Sequence, residues 1–203
     1  MSQDTAVKVQ PVYPTDPVFP LSVEAYHALI DNGQLTHDDP VELIEGVLVF
    51  HMPKSPLHGY IVRAIDRVLG KLFVAPAWHL RMQDPITLSD GEPEPDILLV
   101  RGGDADYLDR HPGPAEAPLV IEVSDSTIAR DRGTKCRSYA RAGVQNYWIV
   151  DVEARAVEVY TDPGSAAGQP SFGTVARYAE TETIQIIIDG KPMGSLLVGQ
   201  IFP

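Results

Sequence analysis

The sequence predicts an α/β fold in which a mixed sheet is flanked by helices. Three observations lead there. Continuous apolar runs such as Ile97-Leu98-Leu99-Val100 and Leu119-Val120-Ile121 read as strands covered on at least one face. Segments of helical periodicity lie between them and supply that cover. Paired strand patterns towards both ends read as hairpins, which makes the sheet mixed rather than purely parallel.

Taken in order, residues 1–20 hold Pro11, Pro14, Pro17 and Pro20 without apolar periodicity and read as an extended or disordered arm. Residues 21–203 then read as a single domain. Ser22 is placed to cap a helix running to about Ile30 and ending near Asn32-Gly33. Val41 to Phe50 reads as two short strands pivoting near Gly46. Pro53 and Pro56 precede a second helix, about His58 to Phe73, in which Ile61, Ala64, Ile65, Val68 and Leu72 recur at helical spacing.

A strand from Trp78 places Trp78, Leu80 and Met82 on one face and His79, Arg81 and Gln83 on the other. The turn-rich stretch Asp90 to Pro95 leads into Asp96 to Val100, and a Gly- and Pro-punctuated loop leads to Leu119 to Ser124. A third helix is expected from about Ile128 to Ala142, stopping at Gly143. Tyr147 to Asp151 and Val157 to Tyr160 read as paired strands. Segment 163–173, rich in Gly, Ala, Ser and Pro, reads as a loop, and Tyr178 to Ile188 as a strand.

Bulk properties narrow the class. With 203 residues, 44% apolar and 22% charged, the chain can build one ordinary core. No apolar run reaches the roughly 18 residues that cross a bilayer, and no signal-peptide pattern opens the chain. The single cysteine, Cys136, excludes an internal disulfide and a multi-thiolate zinc site. These features point to the cytoplasm, away from membranes. The net charge of −12 argues against broad, non-specific coating of DNA, but leaves room for a locally basic groove.

Two carboxylates stand where apolar residues are expected. Glu122 interrupts the run Leu119 to Val123, and an unpartnered carboxylate buried there would cost several kcal/mol. A metal, a basic side chain or a cleft at the strand end must stabilise it. Asp96 opens the preceding core strand behind the stiff Pro95. Adjacent strand ends can bring two such carboxylates onto one hard divalent ion. Lys135, on the next helix, borders an apolar face made by Cys136, Tyr139 and Ala140. It can reach the sheet edge, or pair on the surface with Asp131 four residues earlier. The same helix carries Arg130, Arg132, Arg137 and Arg141, a basic element that could receive phosphates or complement the helix dipole.

The order Glu42, Pro95-Asp96, Glu122-Val123-Ser124, Lys135 resembles the PD-(D/E)XK nuclease superfamily, and more closely the Uma-type family of restriction-endonuclease-like proteins. Further matching stretches are Glu42 to Gly46, His58, Asp131-Arg132-Gly133, Tyr139, Gly143-Val144 and Tyr147 to Asp151, together covering about residues 21–160. The resemblance implies a restriction-endonuclease-like core and a Mg²⁺ site, with Mn²⁺ as a substitute, in which Asp96 and Glu122 are ligands and Glu42 assists. Glu45 is the fallback for Glu42. Where the standard motif has a lysine, two residues after the second acid, this chain has Ser124; Lys135 is the natural replacement. Asp125 stands where the family more usually has proline.

The implied activity is Mg²⁺-dependent hydrolysis of DNA phosphodiesters, with Glu42, Asp96, Glu122 and Lys135 as the catalytic set. Gln83 is a candidate to support the site from outside the ligand set, and His58 is assigned to capping or packing ahead of substrate contact. The alternative is an inactive nuclease-fold domain used for binding or assembly, which the acidic charge, Ser124 and Asp125 favour. A hydrolase of small phosphates would share the site but need an enclosed pocket. Tyr147-Trp148 and the hairpins would suit a homodimer, although core packing is the commoner use of such a tryptophan.

Overall fold

The computed structural model describes residues 18–36 and 38–203. Most of the expected arm, 1–17, lies outside the described residues. Helix α1, Val23–Asp31, starts where the Ser22 hydroxyl accepts the Ala25 N–H. Strands β1, Val41–Ile44, and β2, Val47–Phe50, form an antiparallel hairpin. Its turn uses Glu45 and Gly46, both at positive φ, and a Cβ at Gly46 would come within 2.5 Å of Pro20. Helix α2, Pro56–Leu69, is capped by Ser55 and turns Ile61, Ala64, Ile65 and Leu69 into the core. It begins before His58 and ends at Gly70, short of the expected Phe73; Phe73 is buried in the turns beyond it.

A six-stranded sheet follows, in the order β3-β4-β5-β6-β7-β8. Its members are β3 (Trp78–Arg81), β4 (Ile97–Arg101), β5 (Leu119–Ser124), β6 (Asn146–Asp151), β7 (Ala156–Ala166) and β8 (Gln169–Ala179). Only β5 and β6 pair in parallel, so the sheet is mixed, as the hairpin patterns predict. Both faces are covered. Ile97, Leu99, Ile121 and Val123 meet α2 on one side, and Leu98, Val100 and Val120 meet Tyr139 and Ala140 on the other. This explains the unbroken apolar runs: alternation disappears when neither face sees water.

The connection from β5 to β6 is helical over 128–142. It comprises α3 (Ile128–Arg130), a π-helical turn (Asp131–Lys135) and α4 (Cys136–Ala142), and it ends at left-handed Gly143. The expected helix is therefore present, but with one wide turn. There the Cys136 N–H reaches back five residues to Asp131, and Asp131, Lys135 and Cys136 are all buried.

Three expectations need correction. Segment 163–173 is not a loop. Pro163 pairs with Phe172, and the pairing continues to Ala166 with Gln169 across a turn in which Ala167 and Gly168 have positive φ. Composition misled because this ribbon is mostly exposed and needs no apolar side chains; its ladder holds it. Tyr178 to Ile188 is not one strand either. β8 stops at Ala179, and β9 (Thr183–Ile188) turns back to pair with β10 (Lys191–Leu197) as a separate two-stranded sheet. This hairpin buries Ile184, Ile186, Ile188 and Leu196 under the main sheet on the α2 side. Finally, β3 stops at Arg81, and Gln83 has positive φ and an exposed side chain. Tyr147 and Trp148 are both buried, the core-packing use that the sequence favours over a dimer surface.

Candidate metal centre

The β4–β5 register sets Ile97 against Ile121 and Leu98 against Val120. One step further along the ladder, Asp96 faces Glu122. Opposed residues share a face, so both carboxylates leave the sheet on the side of helical segment 128–142. The Asp96 Oδ2 accepts the Val123 N–H at 2.8 Å, which locks the two strand ends together. His58, in the first turn of α2, brings Nε2 to 3.0 Å from Asp96 Oδ1.

Glu122 receives two donors from the helix. Lys135 Nζ stands 2.8 Å from Oε1, and the Tyr139 hydroxyl donates to the same oxygen at 2.9 Å. Lys135 and Tyr139 are one turn apart, hence on one face. The ammonium also lies 3.2 Å from Glu42 Oε2, on β1. That oxygen accepts the Glu94 N–H, and Arg130 approaches the other at 3.5 Å. One open pocket is lined by Glu42, His58, Asp96, Glu122, Arg130 and Lys135, with Lys54 and Asp125 towards its rim.

Thus the four sequence-selected residues Glu42, Asp96, Glu122 and Lys135 line the same pocket. The alternative surface pair of Lys135 with Asp131 does not form. Asp131 instead accepts the hydroxyls of Ser124 and Thr127, at 2.5 and 2.6 Å. Ser124, at the usual lysine position, is therefore engaged in holding the helix start. Glu45 is not at the site; its carboxylate is held by Arg137 and Arg141. Gln83 does not line the pocket; its backbone N–H donates to the Asp96 carbonyl.

Of the two readings of the basic helix, receipt of phosphates or complement to its dipole, the first loses most of its cations to ion pairs. Arg132 is bound by Asp151 and Glu158, Arg137 by Glu45, and Arg141 by Glu45 and Asp90. Of the helix's arginines, Arg130 alone lines the pocket. Sequence reasoning also missed two members. From sequence, His58 reads as a capping or packing residue ahead of substrate contact, and Tyr139 as part of the apolar face. The available signals were a histidine in a helix's first turn and a tyrosine four residues after Lys135.

The electrostatics follow from crowding. Burial pushes the Glu122 carboxyl well above its ordinary range; Lys135 opposes this, while Asp131, Asp96 and Glu42 add to it. The Lys135 ammonium is pulled down by burial, yet Glu122, Glu42 and Asp131 more than compensate and drive it upward. Both groups move upward, Glu122 chiefly through burial and Lys135 through the carboxylates around it. Burial would raise Asp96 too, but the His58 contact, the Val123 N–H and Lys135 hold it below the usual carboxylate range. Burial likewise raises the Tyr139 phenol, so it remains a donor.

Among the described residues, no three His, Cys, Asp or Glu side chains are already gathered as a cation cage. The Lys135 ammonium stands between Glu42 and Glu122, 3.2 and 2.8 Å from their carboxylate oxygens. Carboxylate oxygens from adjacent strand ends do face a pocket open to solvent, and such oxygens are the donors a hard divalent ion takes.

Comparisons agree with the architecture. A crystal structure described as a putative nuclease belonging to DUF820 from Anabaena variabilis superposes with a TM-score of 0.64 at 15% identity, covering 90% of this chain and 98% of that one. No curated protein matches the chain. The Uma2 family, described as a putative restriction endonuclease, matches over residues 23–185. The chain, with its restriction-endonuclease-like mixed sheet flanked by helices, belongs to the Uma2 family.

Proposed function

We propose that this protein is a Mg²⁺-dependent endonuclease of the PD-(D/E)XK kind, hydrolysing DNA phosphodiesters at the pocket of Asp96, Glu122, Glu42 and Lys135. One observation carries the reading: a buried lysine, supplied by the helix after β5, meets Glu122 at 2.8 Å beside Asp96. This is the arrangement expected of a migrated motif lysine. Family membership supports a nuclease-like role.

Asp96 and Glu122 would hold the ion, with Glu42 assisting; Mn²⁺ could replace Mg²⁺. When bound, the ion supplies positive charge to a phosphate oxygen and acidifies a nearby water. Lys135 keeps its proton because the surrounding carboxylates raise its affinity, so it acts as a fixed cation and hydrogen-bond donor towards the phosphate rather than as a base. Tyr139 fixes the Glu122 carboxylate from behind. Arg130 and Lys54, at the pocket, are placed to meet flanking phosphates.

Plasmid nicking in Mg²⁺ by the wild type, Asp96→Ala and Lys135→Met tests this. Nicking that needs Mg²⁺ and is lost in both variants supports the proposal, and equal activity in Asp96→Ala removes Asp96 from the chemistry. A second reading, a nuclease-fold domain that binds or assembles without hydrolysis, draws on the engagement of Arg132, Arg137 and Arg141 by internal carboxylates. DNA retention without nicking, and no heat of Mg²⁺ binding, would favour that one.

A further inference from the structure

We propose that the exposed face of α2 is the track along which the DNA backbone leaves the pocket, with Arg63, Arg67 and Lys71 meeting its phosphates beyond Lys54. This rests on the nuclease reading of the pocket and adds the path its substrate takes.

The first ground is which cations are free. In a chain of net charge −12, a cation that serves DNA must be one that internal carboxylates have not taken. Arg132, Arg137 and Arg141 are taken. So are cations of the strands and loops: Arg81 meets Asp84, Arg101 meets Asp189, Arg110 meets Glu116, Arg155 meets Glu180 and Arg177 meets Glu158. Lys191 has Asp189 for a charged neighbour. Arg63, Arg67 and Lys71 differ. Among the described residues they are exposed, and no ion pair or hydrogen bond holds them.

The second ground is their arrangement. Residues four apart on a helix lie about 40° apart around its axis and about 6 Å apart along it. Arg63 and Arg67 therefore share one stripe of α2, and Lys71 follows at the same interval just past its end. Tyr60, exposed and three residues before Arg63, adds a hydroxyl to that stripe. The buried Ile61, Ile65 and Leu69 occupy the other side of the helix. The one acid of the stretch, Asp66, pairs with none of the three cations.

The third ground is where the stripe begins. Lys54, Ser55 and His58 line the pocket, so α2 starts at its rim. Arg63 leans back towards that end: a Cβ at Gly59 would come within 3.2 Å of its Nη1, so the guanidinium lies over the glycine, one turn nearer the pocket. The 14 residues of α2 span about 21 Å, roughly six phosphates on one strand of a duplex. Contacts of this kind hold and orient DNA without reading its sequence.

The test is binding of a labelled DNA duplex by the full chain, followed by anisotropy over a range of salt with Ca²⁺ in place of Mg²⁺. Arg63→Gln, Arg67→Gln and Lys71→Gln together should flatten the slope of log K against log salt by roughly 2 to 3, and weaken binding at least about tenfold at low salt. A control that removes as much charge from paired positions, Arg101→Gln, Arg110→Gln and Arg155→Gln together, should keep the wild-type slope within about 1. In the wild type, bound duplex should shield Lys71 from acetylation, a measurement that alters no side chain. An unchanged slope in the first variant, an equal loss in the control, or Lys71 acetylated at the same rate with DNA bound overturns the track and leaves the nuclease reading intact. A track that passes these tests in a protein that never nicks DNA in Mg²⁺ stands, and hydrolysis falls. Binding to phosphatidylserine vesicles that needs the three cations, with no binding of duplex, assigns the face to a membrane and overturns the proposal.

Discussion

Lys135 and Glu122 are 13 residues apart in the chain, yet Nζ and Oε1 meet at 2.8 Å with both side chains buried. The partnership is asymmetric, because Glu42 shares the same ammonium at 3.2 Å. Lys135→Met would leave two buried carboxylates without their cation. Removing one partner of such a pair typically costs about 3–5 kcal/mol. We expect a loss of that order in urea unfolding, and recovery of most of it when Glu122→Gln is added. Additive losses in the double variant would mean that the contact carries no coupling.

Glu42 and Glu45 are three residues apart but belong to different places. Glu42→Gln should reduce Mg²⁺-dependent nicking by at least about tenfold, since Glu42 shares the pocket with Lys135. Glu45→Gln should leave nicking within about twofold and lower stability by less than about 1 kcal/mol, because it only loosens Arg137 and Arg141. A reversed order of effects would return Glu45 to the site.

Cys136 is the protein's single thiol, and burial pushes it up to about 11. At pH 8 it should therefore react with an aromatic disulfide reagent only slowly, and at the ordinary rate once urea has unfolded the chain. Fast labelling of the native protein at pH 8 would contradict the packing described for α4.

Glu116 is held at about 2, chiefly by the Arg110 hydrogen bond, with burial opposing and the Gly113 N–H assisting. Its folded value lies below that of the unfolded chain. The stabilisation it gives is therefore complete above about pH 4.3, the unfolded carboxyl value, and lost as pH falls through about 2. Arg110→Ala should shift the Glu116 titration upward when followed by carboxyl-carbon NMR. An unchanged midpoint would assign the shift to another group.

Much of this was readable from residue order alone. β5 and the Ser22 cap fall where the apolar run and the capping residue place them. The carboxylates at positions 96 and 122 were conspicuous because they break apolar strands, and register then brings them face to face. What was hidden depends on long-range pairing. Nothing local says that Arg132 meets Glu158, 26 residues away, or that Arg137 meets Glu45, 92 away, so phosphate receipt and dipole complement both stay open for this helix in the sequence. The 163–173 ribbon was hidden because its stability lies in ladder hydrogen bonds rather than in side-chain pattern. His58 escaped because its partner stands on another element altogether.

The sheet contains one pair of neighbours running in the same direction, β5 and β6. Parallel neighbours cannot be joined by a tight turn; the chain must travel back over the sheet before it re-enters. Segment 128–142 makes that return journey directly above the strand it has just left, so the obligatory path delivers a side chain to Glu122. Position 124 is thereby released from carrying an ammonium, and its hydroxyl anchors Asp131 at the start of the same path. Shortening the wide turn by one residue would turn the preceding segment by about a quarter circle, carrying Arg130 away from Glu42 while leaving every strand in place.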